Sequence, residues 1–287
     1  MMNRVLSLAV LALMSMTLIS CLSVNLGEHG NNGNKGADTT PTQVPQINVV
    51  TEMSPFAEVD IVGAFKVIYE QGGRHTVRIE ASEQAFSEMT VYVKENQLNI
   101  HPSVNKPTAS FKDVKVYVTS PEISEVDLTG SGLFAANQAI SCSKDLNIDL
   151  TGSGKVLMVA TTCNKAHLDL TGAGTIELGL LDAMSTKLEL TGSGNITLGD
   201  LKAGKVNLDL TGSGSMNLTK MVCDEFDIDL TGSGKVSCQD INADKGHTDI
   251  SGSGRVNLKG VVKNHTKETS GSGKVNIIAP DAPTAIQ

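Results

Sequence analysis

The residues most able to do chemistry in this sequence are carboxylates that recur at one fixed place. Each stands two residues before a Thr-Gly-Ser-Gly motif or a close variant, and the eight are Asp127, Asp149, Asp169, Glu189, Asp209, Asp229, Asp249 and Glu268. Carboxylates with neighbouring hydroxyls are oxygen ligands suited to Ca²⁺. A pair of acids can instead serve as general acid and general base if their surroundings tune their pKa values. The spacing of the acids decides between these chemistries.

That spacing is the spacing of a repeat. The Thr or Ser residues that follow the acids are separated by 22, then five times by 20, then by 19 residues. Counted from each Thr, apolar residues fall at positions 5 and 7, 10 and 12, and 15, 17 and 19, as in Ile196, Leu198 and Leu201. Three short alternating runs with polar or glycine positions between them predict three strands and three corners per repeat. The sequence therefore predicts an all-β fold, a three-sided parallel β-helix (β-solenoid) with about 20 residues per coil.

The glycines of the motif predict a corner of each coil. A phosphate-binding loop occurs once and leads into a helix, whereas this motif occurs eight times and no helix of ordinary length is signalled after it. Both glycines are expected at inward positions where the strand bends and a side chain would collide with its surroundings. They are Gly130, Gly132, Gly152, Gly154, Gly172, Gly174, Gly192, Gly194, Gly212, Gly214, Gly232, Gly234, Gly252, Gly254, Gly271 and Gly273.

Stacked coils turn the acids into a ladder with a spacing of about 4.8 Å. Unit charges at that distance repel by about 0.9 kcal/mol per neighbouring pair in water. Either divalent cations offset the repulsion, or solvent and threonine hydrogen bonds do so together with the cations Lys155, Lys235, Arg255 and Lys274. The second reading is favoured because the Gly-Gly-x-Gly-x-Asp loop of calcium-binding β-rolls is absent from the sequence. We expect no structural metal and no cofactor.

The regularity of the acids also argues against an enzyme. Polysaccharide lyases and hydrolases built on β-helices carry acids on an outer face, so an enzyme acting on acidic polysaccharide is the alternative function. Evenly spaced acids indicate architecture, and the coils contain Phe134 and Phe226 but no Trp or Tyr that could serve as a sugar platform. His167 and His247 share one outward position and are expected to be surface residues. No catalytic residue is assigned.

Four cysteines lie within the repeats. Cys163 and Cys223 occupy a position that is alanine in other coils, and Cys238 replaces a leucine, so these three are expected in the core. Cys142 would stack beside Cys163 on the adjacent coil, near the distance of a disulfide that an oxidising compartment permits. Two extra residues in that first coil blur the register, so the sequence leaves the bond open.

The N-terminal segment predicts attachment to a membrane. An apolar run over 5–19 is too short for a permanent membrane helix, and residues 18–21 read Leu-Ile-Ser-Cys. This ending resembles the lipobox of bacterial lipoproteins, so we expect a signal peptide over 1–20 and a Cys21 that carries lipid such as palmitate. An ordinary signal peptide with a chance cysteine is the alternative. Leu22 is not the aspartate associated with retention in the inner membrane, which favours an outer-membrane lipoprotein facing the periplasm or the cell surface.

Composition divides the remaining chain. Residues 21–45 are rich in Gly, Asn and Thr and predict a flexible tether. Residues 46–120 alternate apolar and polar residues without repeating, with a hairpin turn at Glu95 and Asn96 and one helical turn over 83–88. Residues 121–280 carry the β-helix repeats, and 281–287 form a tail. The net charge of −8 argues against a nucleic-acid partner.

These features resemble the family of putative auto-transporter adhesins with a head GIN domain. The resemblance covers about residues 53–278 and rests on FAEVDIVGAFKVIYEQG at 56–72, VRIEASE at 77–83, LNI at 98–100 and VKVYVTSPEISEVDLTGSG at 114–132. It implies a right-handed β-helix at the cell surface or in the periplasm, without catalytic residues. We therefore expect a non-catalytic, lipid-anchored protein that binds an unknown protein or glycan or acts as a spacer. The open ends of such a solenoid also allow weak self-association.

Overall fold

The computed structural model describes residues 46–103 and 110–279, and almost all of them lie in strands. The signal peptide, Cys21, the tether and the tail predicted above lie outside the described residues. One short helix, α1 (Glu83–Ser87), interrupts the strands. The strands are β1 (Gln46–Glu52), β2 (Glu58–Gly63), β3 (Lys66–Gln71), β4 (Thr76–Ser82), β5 (Met89–Lys94), β6 (Gln97–Pro102), β7 (Lys115–Ser120), β8 (Glu125–Gly130), β9 (Leu133–Ser141), β10 (Leu146–Gly152), β11 (Lys155–Gly172), β12 (Thr175–Gly192), β13 (Asn195–Gly212), β14 (Ser215–Gly232), β15 (Lys235–Gly252), β16 (Arg255–Gly271) and β17 (Lys274–Ile278).

Strands β10 to β17 form a parallel stack in which each coil lies on the one before it. Leu188 pairs with Leu168 in the preceding coil and with Leu208 in the following one, a register of 20 residues. One 20-residue coil cannot bury its own apolar side, so each coil depends on its neighbours for a core. The predicted β-solenoid with about 20 residues per coil is confirmed.

Each full coil divides into three walls. In β13 the pairing with β14 runs over 195–198, 200–203 and 205–212, with a break at Gly199 and another at Gly204. We call these runs the first, second and third wall and use the same names for the equivalent residues of other coils. Side chains alternate in every wall, so Leu198, Leu201 and Leu208 are buried. Their chain neighbours Thr197, Lys202 and Asn207 lie on the outer side.

The parallel stack begins before the repeats that the sequence makes visible. β2 pairs in parallel with β8, so Gly63 lies beside Gly130, and both have a positive φ, of 123° and 124°. β3 pairs in parallel with β9 in the same manner. Residues of the segment that does not repeat in sequence thus form a coil that carries the same corner as the repeats.

The N-terminal end of the stack changes to antiparallel pairing. β7 lies parallel to β3 and antiparallel to β4, which pairs with β1. β6 lies parallel to β2 and forms a hairpin with β5, whose two turn residues Glu95 and Asn96 have φ of 51° and 71°. The predicted hairpin turn is confirmed, and so is the helical turn, which Ser82 caps by accepting a hydrogen bond from the Ala85 amide. β1 was not predicted.

The C-terminal end of the stack changes the residue types on the inward side. The third-wall residues Gly246, Thr248 and Ile250 of β15 pair with His265, Lys267 and Thr269 of β16. Polar and charged side chains that point inward at the edge of a sheet oppose the addition of another strand. The last coil therefore opposes the addition of a further strand to the third wall.

Candidate functional site

Nine carboxylates stand in register along the outer side of the third wall. Eight are those predicted from the repeat, and the ninth is Asp60 of β2, which pairs with Asp127. We call the row the acidic ladder: Asp60, Asp127, Asp149, Asp169, Glu189, Asp209, Asp229, Asp249 and Glu268. The sequence signal for Asp60 was its spacing of three residues before Gly63, the same as in Asp-Leu-Thr-Gly.

Two side chains of the third wall contact the middle of the ladder. His167 Nε2 lies 2.6 Å from Glu189 Oε2, and Lys187 Nζ lies 2.8 Å from Glu189 Oε1 and 3.5 Å from Asp209 Oδ2. The hydrogen bond from Lys187 lowers the pKa of Glu189 below its usual value. Lys187 and His167 belong to the same wall as the acids, and each stands two residues before an acid of the ladder.

The cations expected from the sequence to offset the ladder do not do so. Lys155, Lys235, Arg255 and Lys274 lie on the first wall, across the glycine corner, and none of them forms an ion pair with a described carboxylate. The sequence places them only six residues after an acid, but the chain turns the corner between the two. This part of the prediction was wrong.

The N-terminal end of the ladder holds a carboxyl group, Asp127, with a raised pKa. Burial, together with the negative charges of Glu125, Asp149 and Asp60, raises the pKa of Asp127 to about 7. Asp60 has a partner beyond the ladder, since its Oδ2 lies 2.7 Å from His101 Nε2. Burial and neighbouring acids also raise the pKa of Asp169 and Asp229.

The ladder supplies one carboxylate per coil and does not gather ligands around a point. Within residues 46–103 and 110–279, no group of three or more His, Cys, Asp or Glu side chains is arranged to hold a metal ion. His247 lies on the same wall as His167, but its Nδ1 is 2.9 Å from Thr266 Oγ1. Both histidines are thus surface residues of the third wall with separate partners, as the repeat position predicted.

The two glycines of a corner exclude a side chain for different reasons. Gly212 has a φ of 123°, and a Cβ placed on it would lie 2.4 Å from the carbonyl oxygen of Gly192 in the coil below. A Cβ on Gly214 would lie 2.6 Å from the Gly194 oxygen and 2.7 Å from Leu190 Cδ2. Both glycines therefore permit a close approach of two chains. The first also serves a left-handed backbone, and the second also leaves room for a core side chain.

Two further side-chain groups bear on the predictions. Cys142, Cys163, Cys223 and Cys238 are all buried free thiols. Cys163 and Cys223 pair with Ala183 and Ala203, and Cys238 with Leu218, as the repeat positions predicted.

Near the N-terminal end, Arg78 covers one face of the Tyr117 ring. Its guanidinium carbon lies 3.7 Å from the ring centre.

The described residues contain no helix long and apolar enough to cross a membrane. The helix α1 has five residues.

Comparison with known proteins places this architecture among related chains. The family described as putative auto-transporter adhesin, head GIN domain, matches residues 55–222 and 219–285. No curated protein sequence matches the chain. A solved structure of a putative lipid binding protein from Parabacteroides distasonis has a TM-score of 0.73 and 22% identity, and covers 81% of this chain and 96% of that one. A putative adhesin from Bacteroides fragilis has a TM-score of 0.61 and 19% identity, over 82% of this chain and 97% of that one. At this level of identity the similarity concerns the fold.

Proposed function

The chain belongs to the family of putative auto-transporter adhesins with a head GIN domain, and we propose that it is a non-catalytic, lipid-anchored protein of the cell surface that binds a partner through the outer faces of its solenoid. The observation that carries this proposal is the regularity of those faces. Each coil repeats the backbone of the one below it, so outward side chains stand in straight rows along a rigid stack. Rigid, pre-arranged surfaces lose little entropy on binding and suit extended partners.

The distribution of the acids supports binding rather than catalysis. The pKa of Asp127 is about 7, but its neighbours are other acids, Asp60 and Asp149 of the ladder and Glu125 beside it. General acid–base catalysis needs a donor and an acceptor placed on either side of one reacting bond. A straight row of acids on a single face does not provide that arrangement.

The name of the relative from Parabacteroides distasonis raises lipid as another partner class. In this chain the interior of the solenoid is filled by its own side chains, since Leu208, Ile228 and Val256 are fully buried. A lipid would therefore have to bind on the outside. The proposal keeps protein or glycan as the partner, and attachment to the membrane is assigned to the predicted lipid on Cys21.

Adhesion by intact cells tests this function. Cells that carry the full-length protein and cells that lack it are incubated on arrays of glycans and extracellular proteins, and the purified chain is tested on the same arrays. Some ligands should retain the cells that carry the protein and not the cells that lack it. We expect the purified chain to bind those ligands saturably. Equal retention of both cell types would overturn the adhesin proposal. Release of shortened sugars from acidic polysaccharides would instead support the alternative, a β-helix lyase or hydrolase.

A further inference from the structure

Three cations stand directly above one another on the outer side of the first wall, near the C-terminal end of the solenoid. Lys235 pairs in register with Arg255, and Arg255 pairs with Lys274. All three side chains are exposed. We call these three residues the basic strip.

Several other lysines of the full coils are stacked beside acids and not beside other cations. Where cations occur elsewhere in the full coils, an acid often occupies the same position in an adjacent coil. The ion pairs are Lys202 with Asp182 at 3.7 Å, Lys205 with Glu225 at 3.5 Å and Lys220 with Asp240 at 4.0 Å. In the basic strip, like charges are stacked, and none of the three has a carboxylate partner among the described residues. Like charges directly opposite on neighbouring strands destabilise a sheet. A ligand with negative charges would relieve the repulsion that the fold leaves in place.

The rows on either side of the strip offer hydrogen-bonding groups held in fixed positions. On one side, Asn276 Nδ2 donates to Asn257 Oδ1 at 2.8 Å, and the Ser237 hydroxyl donates to Asn217 Oδ1 at 2.8 Å. On the other side, the hydroxyls of Ser253 and Ser272 lie 3.2 Å apart at the glycine corner. Amide and hydroxyl groups fixed in this way match the hydroxyl groups of a sugar chain.

We propose that the basic strip and these two rows bind an acidic polysaccharide that lies along the solenoid axis. The inference rests on the proposed binding function and names its surface and its class of partner. Carboxylate groups of the polysaccharide would pair with Lys235, Arg255 and Lys274, while its hydroxyl groups would meet the serine and asparagine rows. The strip has no aromatic side chains between its cations, which single-stranded nucleic acids require for stacking. Recognition of anionic lipid typically uses four to eight clustered cations.

The repeat itself supplies conservative substitutions for the test. The coils below the strip carry Thr175, Asn195 and Ser215 in the same row. A strip variant with Lys235→Ser, Arg255→Asn and Lys274→Thr therefore extends a pattern that the fold already accepts. A matched control removes three exposed lysines from another row, Lys165→Ser, Lys205→Ser and Lys245→Ser, where Ser185 is already present. Both variants change the net charge by the same amount.

Binding of the full-length chain is measured to polygalacturonate, neutral dextran, a single-stranded oligonucleotide and vesicles containing phosphatidylglycerol. We expect polygalacturonate to bind and dextran not to, with affinity falling as salt rises because the contacts are between exposed charges. The strip variant should lose at least tenfold in affinity, and the control variant less than twofold. Melting temperatures of both variants check that they are folded.

Several outcomes would overturn the inference. They are failure of the wild-type chain to bind polygalacturonate, equal losses in the two variants, and tighter strip-dependent binding to the oligonucleotide or the vesicles. If the strip variant keeps both its affinity for polygalacturonate and the adhesion of intact cells described above, the adhesin function stands and only this surface is wrong. If adhesion and polygalacturonate binding disappear together in the strip variant alone, both proposals are supported.

Discussion

At the residue scale, the corner glycines allow successive coils to stack closely because they lack a Cβ atom. The carbonyl oxygen of Gly192 occupies the place where a Cβ of Gly212 would be, at 2.4 Å, and the φ of 123° disfavours any other residue. We expect Gly212→Ala to lower the free energy of unfolding by about 2 to 4 kcal/mol, from backbone strain and a forced separation of two coils. Chemical denaturation measures the loss.

The neighbouring position provides the control for the corner. Ser213 is exposed, and the equivalent residue two coils earlier is Ala173. Ser213→Ala should therefore change the stability by less than about 0.5 kcal/mol. If the two variants unfold at the same denaturant concentration, the close approach at Gly212 does not limit the fold.

Asp127 leads to a prediction about pH. Its pKa is about 7 in the folded chain, because of burial and then the charges of Glu125, Asp149 and Asp60, whereas an unfolded aspartate titrates near 3.9. The folded state thus binds the proton more tightly, and its stability falls as the pH rises from about 4 to about 7. Asp127→Asn removes this penalty, so its gain in stability should grow from near zero at pH 4 to about 2 kcal/mol at pH 8.

Denaturation at pH 4, 6 and 8 tests this sign. Asp182→Asn serves as the control, because Asp182 is on another wall and pairs with Lys202 at 3.7 Å. It should give no gain at pH 8. A gain for Asp127→Asn that is the same at every pH would show that the substitution acts through packing and that the charge of Asp127 is well solvated.

At the element scale, the third wall contains a pair of unequal residues, Phe226 and Gly246, that pack together. A Cβ on Gly246 would lie 2.1 Å from Phe226 Cζ, so the Phe226 ring fills the space above this glycine. His265 of the last coil stacks on the same ring, with 5.9 Å between ring centres. Val206 holds the equivalent place one coil earlier with an ordinary side chain. The large residue and the glycine therefore form one packing unit.

This unit predicts a rescue. Gly246→Val should cost about 1 to 3 kcal/mol through overpacking against Phe226. Adding Phe226→Val restores one valine per coil, so the double variant should be more stable than Gly246→Val alone, with a coupling energy of about 1 kcal/mol or more. A double-mutant cycle in urea measures the coupling. Additive losses would mean that the ring and the glycine do not share their space.

The elements also show which parts of the fold a single sequence can reveal. The repeats made the walls and corners predictable, because an apolar side chain such as Leu208 recurs at the same position in successive coils. The coil formed by β2 and β3 stayed hidden because it occurs once and replaces the second glycine by Phe65, which packs on Phe111 with 4.7 Å between ring centres. The partners of the acidic ladder were missed because distance along the chain does not show the turn at the corner, which puts Lys155 on another wall and leaves Lys187 beside Glu189.

At the scale of the whole molecule, charge is sorted by wall and by end. The acidic ladder runs the length of the third wall, while the first wall carries the basic strip at its C-terminal end. Inward polar residues such as Lys267 close the third wall against another coil, which opposes the self-association through solenoid ends that the sequence allowed. A molecule with two unlike faces needs a fixed point from which to present them, and the N-terminal lipid would provide it.

Lipidation of Cys21 is therefore the prediction on which the cellular role depends. The Leu-Ile-Ser-Cys ending motivates it, and acyl chains contribute about 0.8 kcal/mol of membrane affinity per buried CH₂. Cells fed labelled palmitate should yield a labelled protein in the membrane fraction, and Cys21→Ala should abolish the label and release the protein from that fraction. The four cysteines of the solenoid are buried free thiols and remain in this variant as an internal control. Label that survives Cys21→Ala would place the lipid elsewhere, and an unlabelled wild-type protein would mean that the N-terminal segment is an ordinary signal peptide with a chance cysteine.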